Sequence, residues 1–520
     1  MSGPLRAVVE LMNRSIAILW VLATACGGGE AERDAGVVFD AGPVGIDVET
    51  DRGPVRGVAD DDLLVFRGIP FATAPRFAPP ELRPAWTAPF QATTFGPACP
   101  QISEITPQAE DCLALNVWAH PGVGSRPVNV WIHGGGYVSG AAREALYDAA
   151  ALARATDAVV ISIDYRLGVL GFLALPELVA ADGGTGNWGL RDQIAALGWV
   201  KRNARAFGGD PDRVTITGES AGGASICTLL AAPLAQGLYR AAVMQSGSCR
   251  LVMEKTATFG TFPGAYTVGA ELATRLGCTT EVASCLRAKP TAELVALVPP
   301  VAFDIGLPIT LTLPVVDGVV LEQRPMAAIR GGRGNVPILA GSNKEDTSYF
   351  VVNAMGVTNT PGAFDRYLDR LPVTADQKTV LRAMYPAALV TEIGAATALS
   401  TDLAFACPAL ALASTGTGNF LYELDRHASG ILTGYGAVHG LDFIHLFGSF
   451  SQWLITPTAS DLVVRDAIQG AWGKFARDLT PGAGWPAAPA AFVLDDPTST
   501  RASWRAGRCA QLSSLGLLLE

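Results

Sequence analysis

The segment GESAGG at 218–223 sets one serine, Ser220, among glycines. A serine on a sharp turn between a strand and a helix presents its hydroxyl as a nucleophile. Glycines are needed beside it because the strained backbone and the close helix leave no room for side chains. The same residue types also build inert turns. The reading therefore depends on whether the other parts of a hydrolytic site occur elsewhere in the chain. The surrounding VTITGESAGGASICTLL (214–230) supplies strand, turn and helix in that order.

Acyl transfer needs hydrogen-bond donors aimed at a developing oxyanion. HGGGY (133–137) follows the apolar run VNVWIH (128–133). Its glycines let backbone N–H groups point at the charge, and the residue after the nucleophile gives one more. Gly135, Gly136 and Ala221 are the expected donors. A phosphate cradle would end in Lys followed by Ser or Thr, which this loop lacks.

The base should be one of five histidines, at 120, 133, 427, 439 and 445. An order of serine, acid, histidine along the chain leaves the last three. His439 lies between glycines in GAVHGLDF (436–443), ahead of an apolar helical stretch, and is the expected base. His427 ends a strand and His445 sits in the following helix, both as structural residues. The acid that orients the base comes from GSNKEDTSYF (341–350), where Glu345 and Asp346 lie just past a buried strand. Adjacent side chains point in different directions, so one of the two does this work and the other is a solvated or capping residue.

These residues need a scaffold that brings them together. The runs VNVWIH (128–133), AVVISIDY (158–165), RVTITGES (213–220), AAVMQSG (241–247), NVPILAGS (335–342) and NFLYELD (419–425) read as buried strands. Helical patterns lie between several of them, including 187–207 and the Ala-rich stretch after Ser220. Such alternation predicts an α/β fold, a large, mostly parallel central sheet flanked by helices. Ligands bind at the carboxyl ends of strands in such sheets, where Ser220, the 134–136 glycines and the 345–346 acids all fall. The acidic turn GGDPDR (208–213) reads as a structural turn before the strand at 213 rather than a calcium site.

Of the 520 residues, 49% are hydrophobic and 17% charged, with a mean hydropathy of +0.29. That composition describes a well-buried globule. A net charge of −10 leaves no basic face for phosphates, which excludes nucleic acid as a partner. Arg6 and Arg14 precede the apolar run SIAILWVLATA (15–25), which ends at Cys26. The run is too short to span a bilayer comfortably and reads as a signal peptide over 1–25. Two processing routes are open: simple cleavage after ATA, or lipid attachment at Cys26 through an imperfect lipoprotein box. A flexible Gly-rich and acidic tether over 26–45 then leads into one folded domain, 46–520. The expected location is outside the cytoplasm, secreted, periplasmic or lipid-anchored to the envelope, with any membrane contact made only through Cys26. Export permits disulfides among the other eight cysteines, and spacing alone does not assign their pairing.

The segments YRLGVLGFLAL (165–175), GNWGLRDQIAALGWVKRNARAFGGDPDRVTITGESAGG (186–223), EDCLALNVW (110–118), RFAPPELRPAW (76–86) and FGPACPQ (95–101) together resemble the type-B carboxylesterase family, the cholinesterase-like branch of the α/β hydrolases. The resemblance covers nearly the whole chain beyond residue 45. It implies the α/β-hydrolase fold, with Ser220 as nucleophile, His439 as base, and Gly135, Gly136 and Ala221 as the oxyanion hole. Glu219 matches the family's acidic neighbour, and Ser246 in QSGS matches the buried serine that steadies the triad. The family acid is usually the Glu of an Asp-Glu-Gly triplet. Here the triplet reads EDT, which gives the position to Asp346, with Glu345 as the alternative.

The same resemblance implies bridges Cys99–Cys112, Cys278–Cys285 and Cys407–Cys509. The last closes a loop of 102 residues, for which chain entropy gives a stabilisation of about 4.7 kcal/mol. Cys227 and Cys249 match no family bridge, and Cys227 is expected as a small core residue. Cholinesterases hold a quaternary ammonium on a tryptophan between the first cysteine pair. The corresponding PQISEITPQAED (100–111) has no aromatic residue, which argues against choline esters. LTLPVVDG (311–318) resembles the segment beside the acyl pocket, and its aliphatic residues suit apolar acyl groups.

The expected function is a serine carboxylic-ester hydrolase. It would act through a Ser-His-Asp triad and an acyl-enzyme on small to medium apolar small-molecule esters, with no cofactor or metal required. Two rivals stand beside it. A catalytically silent cholinesterase-like binding protein would lack a triad member, and none is missing here. A lipase on longer-chain lipid esters would need a large apolar lid, which the short 99–112 loop does not supply. The residues specify no oligomeric state.

Overall fold

The β-branched runs condense into one twisted sheet. The computed structural model describes residues 45–518 apart from 298 and 305. The expected signal segment, Cys26 and all but the last residue of the tether lie outside the described residues.

The sheet strands are β1 (Gly45–Thr50), β2 (Gly53–Asp60), β3 (Leu63–Pro70), β4 (Ala114–Ala119), β5 (Arg126–Ile132), β6 (Val159–Ile163), β7 (Gly209–Glu219), β8 (Ala241–Gln245), β9 (Ile338–Asn343), β10 (Phe420–Leu424), β11 (Ala491–Leu494) and β12 (Ser499–Arg501). Their spatial order is β1-β2-β3-β4-β6-β5-β7-β8-β9-β10-β11-β12, and the short strand Phe90–Gln91 pairs with β2. From β6 to β11 every neighbouring pair is parallel, and the margins are antiparallel. The parallel centre is buried on both faces, as its near-continuous apolar strands require.

Every strand expected from an apolar run is present. The one ahead of Ser220 starts earlier than expected, at Gly209, because Gly209 pairs with Arg126 before the register shifts and resumes at Val214. The GGDPDR turn is thus absorbed into β7, with Asp212 bonded to Lys201 at 2.6 Å. The helical pattern at 187–207 divides into α1 (Trp188–Asn203) and a 3-10 turn, Ala204–Phe207.

Four disulfides are present: Cys99–Cys112, Cys278–Cys285, Cys407–Cys509 and Cys227–Cys249. The fourth corrects the expectation of a lone core cysteine. Cys227 does face the core, but the turn after β8 brings Cys249 back against it, with Cα atoms 5.1 Å apart.

A second cross-tie is ionic. The Arg505 guanidinium, only 6% exposed, bridges the fully buried carboxylates of Asp402 and Glu423 and also donates to Lys344 O at 3.1 Å. It thereby fastens the C-terminal region to the end of β9. Removing one partner of a buried ionic group leaves charge uncompensated, which costs more than the pair contributed. Arg505→Met is expected to lower stability by about 3 kcal/mol, read as a lower urea midpoint. A midpoint unchanged from wild type would show that Arg501, 2.9 Å from Glu423, and Arg508, 3.1 Å from Asp402, compensate the two acids on their own.

Candidate active site

Strand β7 ends at Glu219, and helix α2 (Ala221–Ala231) begins one residue after Ser220. Ser220 sits between them at φ 58°, ψ −121°, a strained conformation for a residue with a Cβ. The glycines exist for close approach. A Cβ on Gly218 would lie 2.4 Å from Gly222 O, and one on Gly222 would lie 2.0 Å from Ile132 O. Only a bare backbone lets α2 start this close to the sheet.

The 134–136 loop leaves β5 beside this turn. Gly135 and Gly136 have φ of 104° and 62°, and Gly135 O accepts from Val138 N and Ser139 N at 3.0 Å each. Among the described residues, no hydrogen bond uses the N–H groups of Gly135, Gly136 or Ala221. His133 is not a titrating member of the site. Burial lowers it to about 4, and its ring stacks on Tyr165 with centroids 4.4 Å apart.

His439 precedes helix α3 (Leu441–Phe447). Its Nδ1 lies 2.6 Å from Asp346 Oδ1. The other Asp346 oxygen accepts from Ser246 Oγ at 2.7 Å and from Asn343 N at 2.9 Å. Asp346 is thus fixed by three donors and faces the histidine. Glu345 points away and accepts from Ala437 N at 3.0 Å. His427 and His445 lie elsewhere, the latter bonded to Leu441 O at 2.8 Å.

His439 Nε2 lies 3.2 Å from Glu219 Oε1, without hydrogen-bond alignment. Burial raises Glu219 above the usual carboxylate range, opposed by the His439 charge and reinforced by Asp442 and Asp346. Burial would lower His439, but the carboxylates of Glu219 and Asp346 outweigh it and raise the imidazole to about 9. Were His439 the proton acceptor, it would work only when neutral, and its raised value would place the rise of kcat/KM with pH on the alkaline side. Glu219→Gln removes a raising charge and is expected to move that limb to lower pH by about one unit. The pH profile of kcat/KM reads it directly, and an unmoved limb would remove Glu219 as the cause.

Ser220, Glu219, His439, Gly135, Gly136 and Ala221 line one cavity of about 230 Å³. Its walls are mostly apolar. Leu307, Pro308 and Ile309, from the hairpin 301–310, line it together with Leu313, Phe350, Phe405 and Trp453. Leu313 belongs to the LTLPVVDG segment singled out for its aliphatic character.

Sequence reasoning missed three features. Asp442, fully buried, accepts from Tyr422 Oη at 2.5 Å. Its place three residues after His439 is the only signal it gave. Phe350 and Phe405 flank the His439 ring, and Phe405 lies in an apolar run with no mark to separate it from core. The third is the Cys227–Cys249 bridge.

Among the described residues, one cluster has metal-ligand types. Glu345, Asp425 and His427 bring ligand atoms within 4.8 Å of one another, but Lys344 at 2.8 Å and Arg501 at 2.7 Å already balance Asp425.

Residues 45–495 match the profile of the Carboxylesterase family. The chain is 33% identical over 481 residues to the para-nitrobenzyl esterase of Bacillus subtilis (strain 168), covering 85% of this chain and 92% of that protein. It is 30% identical over 533 residues to the acetylcholinesterase of Bungarus fasciatus, covering 89% and 85%. Among solved structures, the Geobacillus stearothermophilus carboxylesterase EST55 superposes with a TM-score of 0.78 at 31% identity, covering 89% of this chain and 99% of that one.

Proposed function

Since the chain belongs to the carboxylesterase family, we propose that it hydrolyses small to medium apolar carboxylic esters through a covalent acyl-enzyme on Ser220. The observation that carries this reading is the single cavity shared by Ser220, His439, Gly135, Gly136 and Ala221.

In the first step His439 Nε2 takes the Ser220 proton as Oγ attacks the ester carbonyl. The N–H groups of Gly135, Gly136 and Ala221 receive the oxyanion, while Asp346 holds Nδ1–H and stabilises the imidazolium. The alcohol departs with the proton from His439. Water then repeats the sequence on the acyl-enzyme and releases the acid. Ser246 and the Asn343 amide keep Asp346 aimed at Nδ1. The aliphatic wall from Leu307 to Leu313 suits an apolar acyl or alcohol group but offers no charge to hold an ionic one.

Export belongs to the same proposal. It is supported by the apolar run 15–25 and by four disulfides, which persist in oxidising compartments. Cys26 is the residue through which a lipid anchor would attach, and a diacylglyceryl mass on an N-terminal Cys26 is its signature.

The test is a series of p-nitrophenyl esters from acetate to palmitate, with phosphonate labelling followed by peptide mapping. Highest kcat/KM on short and medium chains, with the adduct on Ser220, is the expected result. Highest turnover on palmitate would make the protein a lipase, and absence of both turnover and adduct would leave a binding protein.

A further inference from the structure

Two aromatic rings outside the triad and the oxyanion loop grip His439. Phe405 lies nearly parallel to the imidazole, with centroids 4.9 Å apart and 17° between planes. Phe350 meets it edge-on at 5.3 Å and 61°. Both rings come from short π-helical segments, Phe350–Ala354 and Asp402–Ala406. The second segment interrupts an otherwise α-helical run, between helices Glu392–Thr401 and Cys407–Ala413. A π turn holds one residue more than an α turn, and such turns recur at functional sites. Phe405 is 5% exposed, yet it lines the cavity rather than facing only the core.

We infer that Phe405 is a positioning residue for His439, a flat plate that confines the imidazole to one plane while Nε2 moves between Glu219 and the Ser220 hydroxyl. The inference rests on the reading of His439 as the base. Nε2 stands 3.2 Å from Glu219 Oε1, and to serve Ser220 it must turn away without losing the 2.6 Å contact of Nδ1 with Asp346. Tilting out of plane would break that contact, and the stacked ring blocks the tilt. The ring face also attracts the imidazolium that forms as Ser220 gives up its proton, so the contact is strongest where the barrier lies.

The experiment compares wild type, Phe405→Leu, Phe405→Tyr and Ser220→Ala on p-nitrophenyl acetate across pH. The acetyl group is small enough that cavity volume has little weight in KM. Phe405→Leu is expected to lose about tenfold in kcat with KM within about threefold. Its kcat/KM limb should move about half a unit to lower pH, because the ring no longer favours the cation. Glu219, Asp346 and Asp442 face His439 unchanged in every variant. Phe405→Tyr keeps the ring face and should restore both rate and limb. A leucine variant with the wild-type rate and limb, or leucine and tyrosine variants equally impaired, would reduce Phe405 to packing. Should Phe405→Leu fail to fold, Phe405→Met decides by the same criteria. Wild type no faster than Ser220→Ala would instead overturn the hydrolase reading itself.

Discussion

Ser220→Ala is expected to lower ester turnover by about 10⁴- to 10⁶-fold and to leave the melting transition in place. The residual rate would come from binding and oxyanion donors alone. Alanine keeps the Cβ that already sits at φ 58°, and Gly218 and Gly222, whose bare backbones set the helix against the sheet, are untouched. The cavity and the His439–Asp346 contact therefore survive, and the loss reports the missing hydroxyl. Steady-state turnover of p-nitrophenyl butyrate, beside a thermal melt, measures it. A variant within tenfold of wild type would mean that the ester bond is opened by another group.

Asp346→Asn is the second large effect, about 10⁴-fold in kcat. Asp346 receives donors only: His439 Nδ1, Ser246 Oγ and Asn343 N. An asparagine amide in its place turns one acceptor into a donor. Facing Nδ1, that donor forces the tautomer whose proton sits on Nε2, where it cannot accept from Ser220. Glu345→Gln is the control and should change kcat by less than about threefold, since Glu345 is bonded to Ala437 N. Equal losses from both variants would reject the assignment of the acid to Asp346 alone.

The strand–turn–helix at Ser220 was legible because its signal is local. A β-branched run, glycines where a Cβ would collide and an apolar helix follow one another within 17 residues, 214–230. His439, which the structure places against Asp346, stood out because few histidines exist and glycines at 436 and 440 flank it. Glu345 and Asp346 were not separable from the residues alone. What separates them is the path of the chain after β9, where the Asp346 carboxylate accepts the Asn343 amide and the Glu345 carboxylate reaches Ala437. The pairing of Cys227 was hidden for a similar reason. A cysteine on a buried helix reads as an apolar residue until the return of the next loop is known. Phe405 gave no sign, because a π turn has no composition of its own and only its geometry swings the ring to the imidazole.

The Cys227–Cys249 bond also has a topological meaning. It joins helix α2 to the segment after β8 and closes a loop of 22 residues, and within that loop lie the whole of β8 and Ser246. The closed loop thus contains a central strand and the hydroxyl that steadies Asp346, and it is anchored on the helix that Ser220 begins. If the neighbouring strands fray, helix α2 and Ser246 still cannot drift far apart, because a short covalent circuit tethers them. The helix after Ser220 and the Ser246 hydroxyl are thus one mechanical unit once the thiols are oxidised, and are joined only through the backbone before.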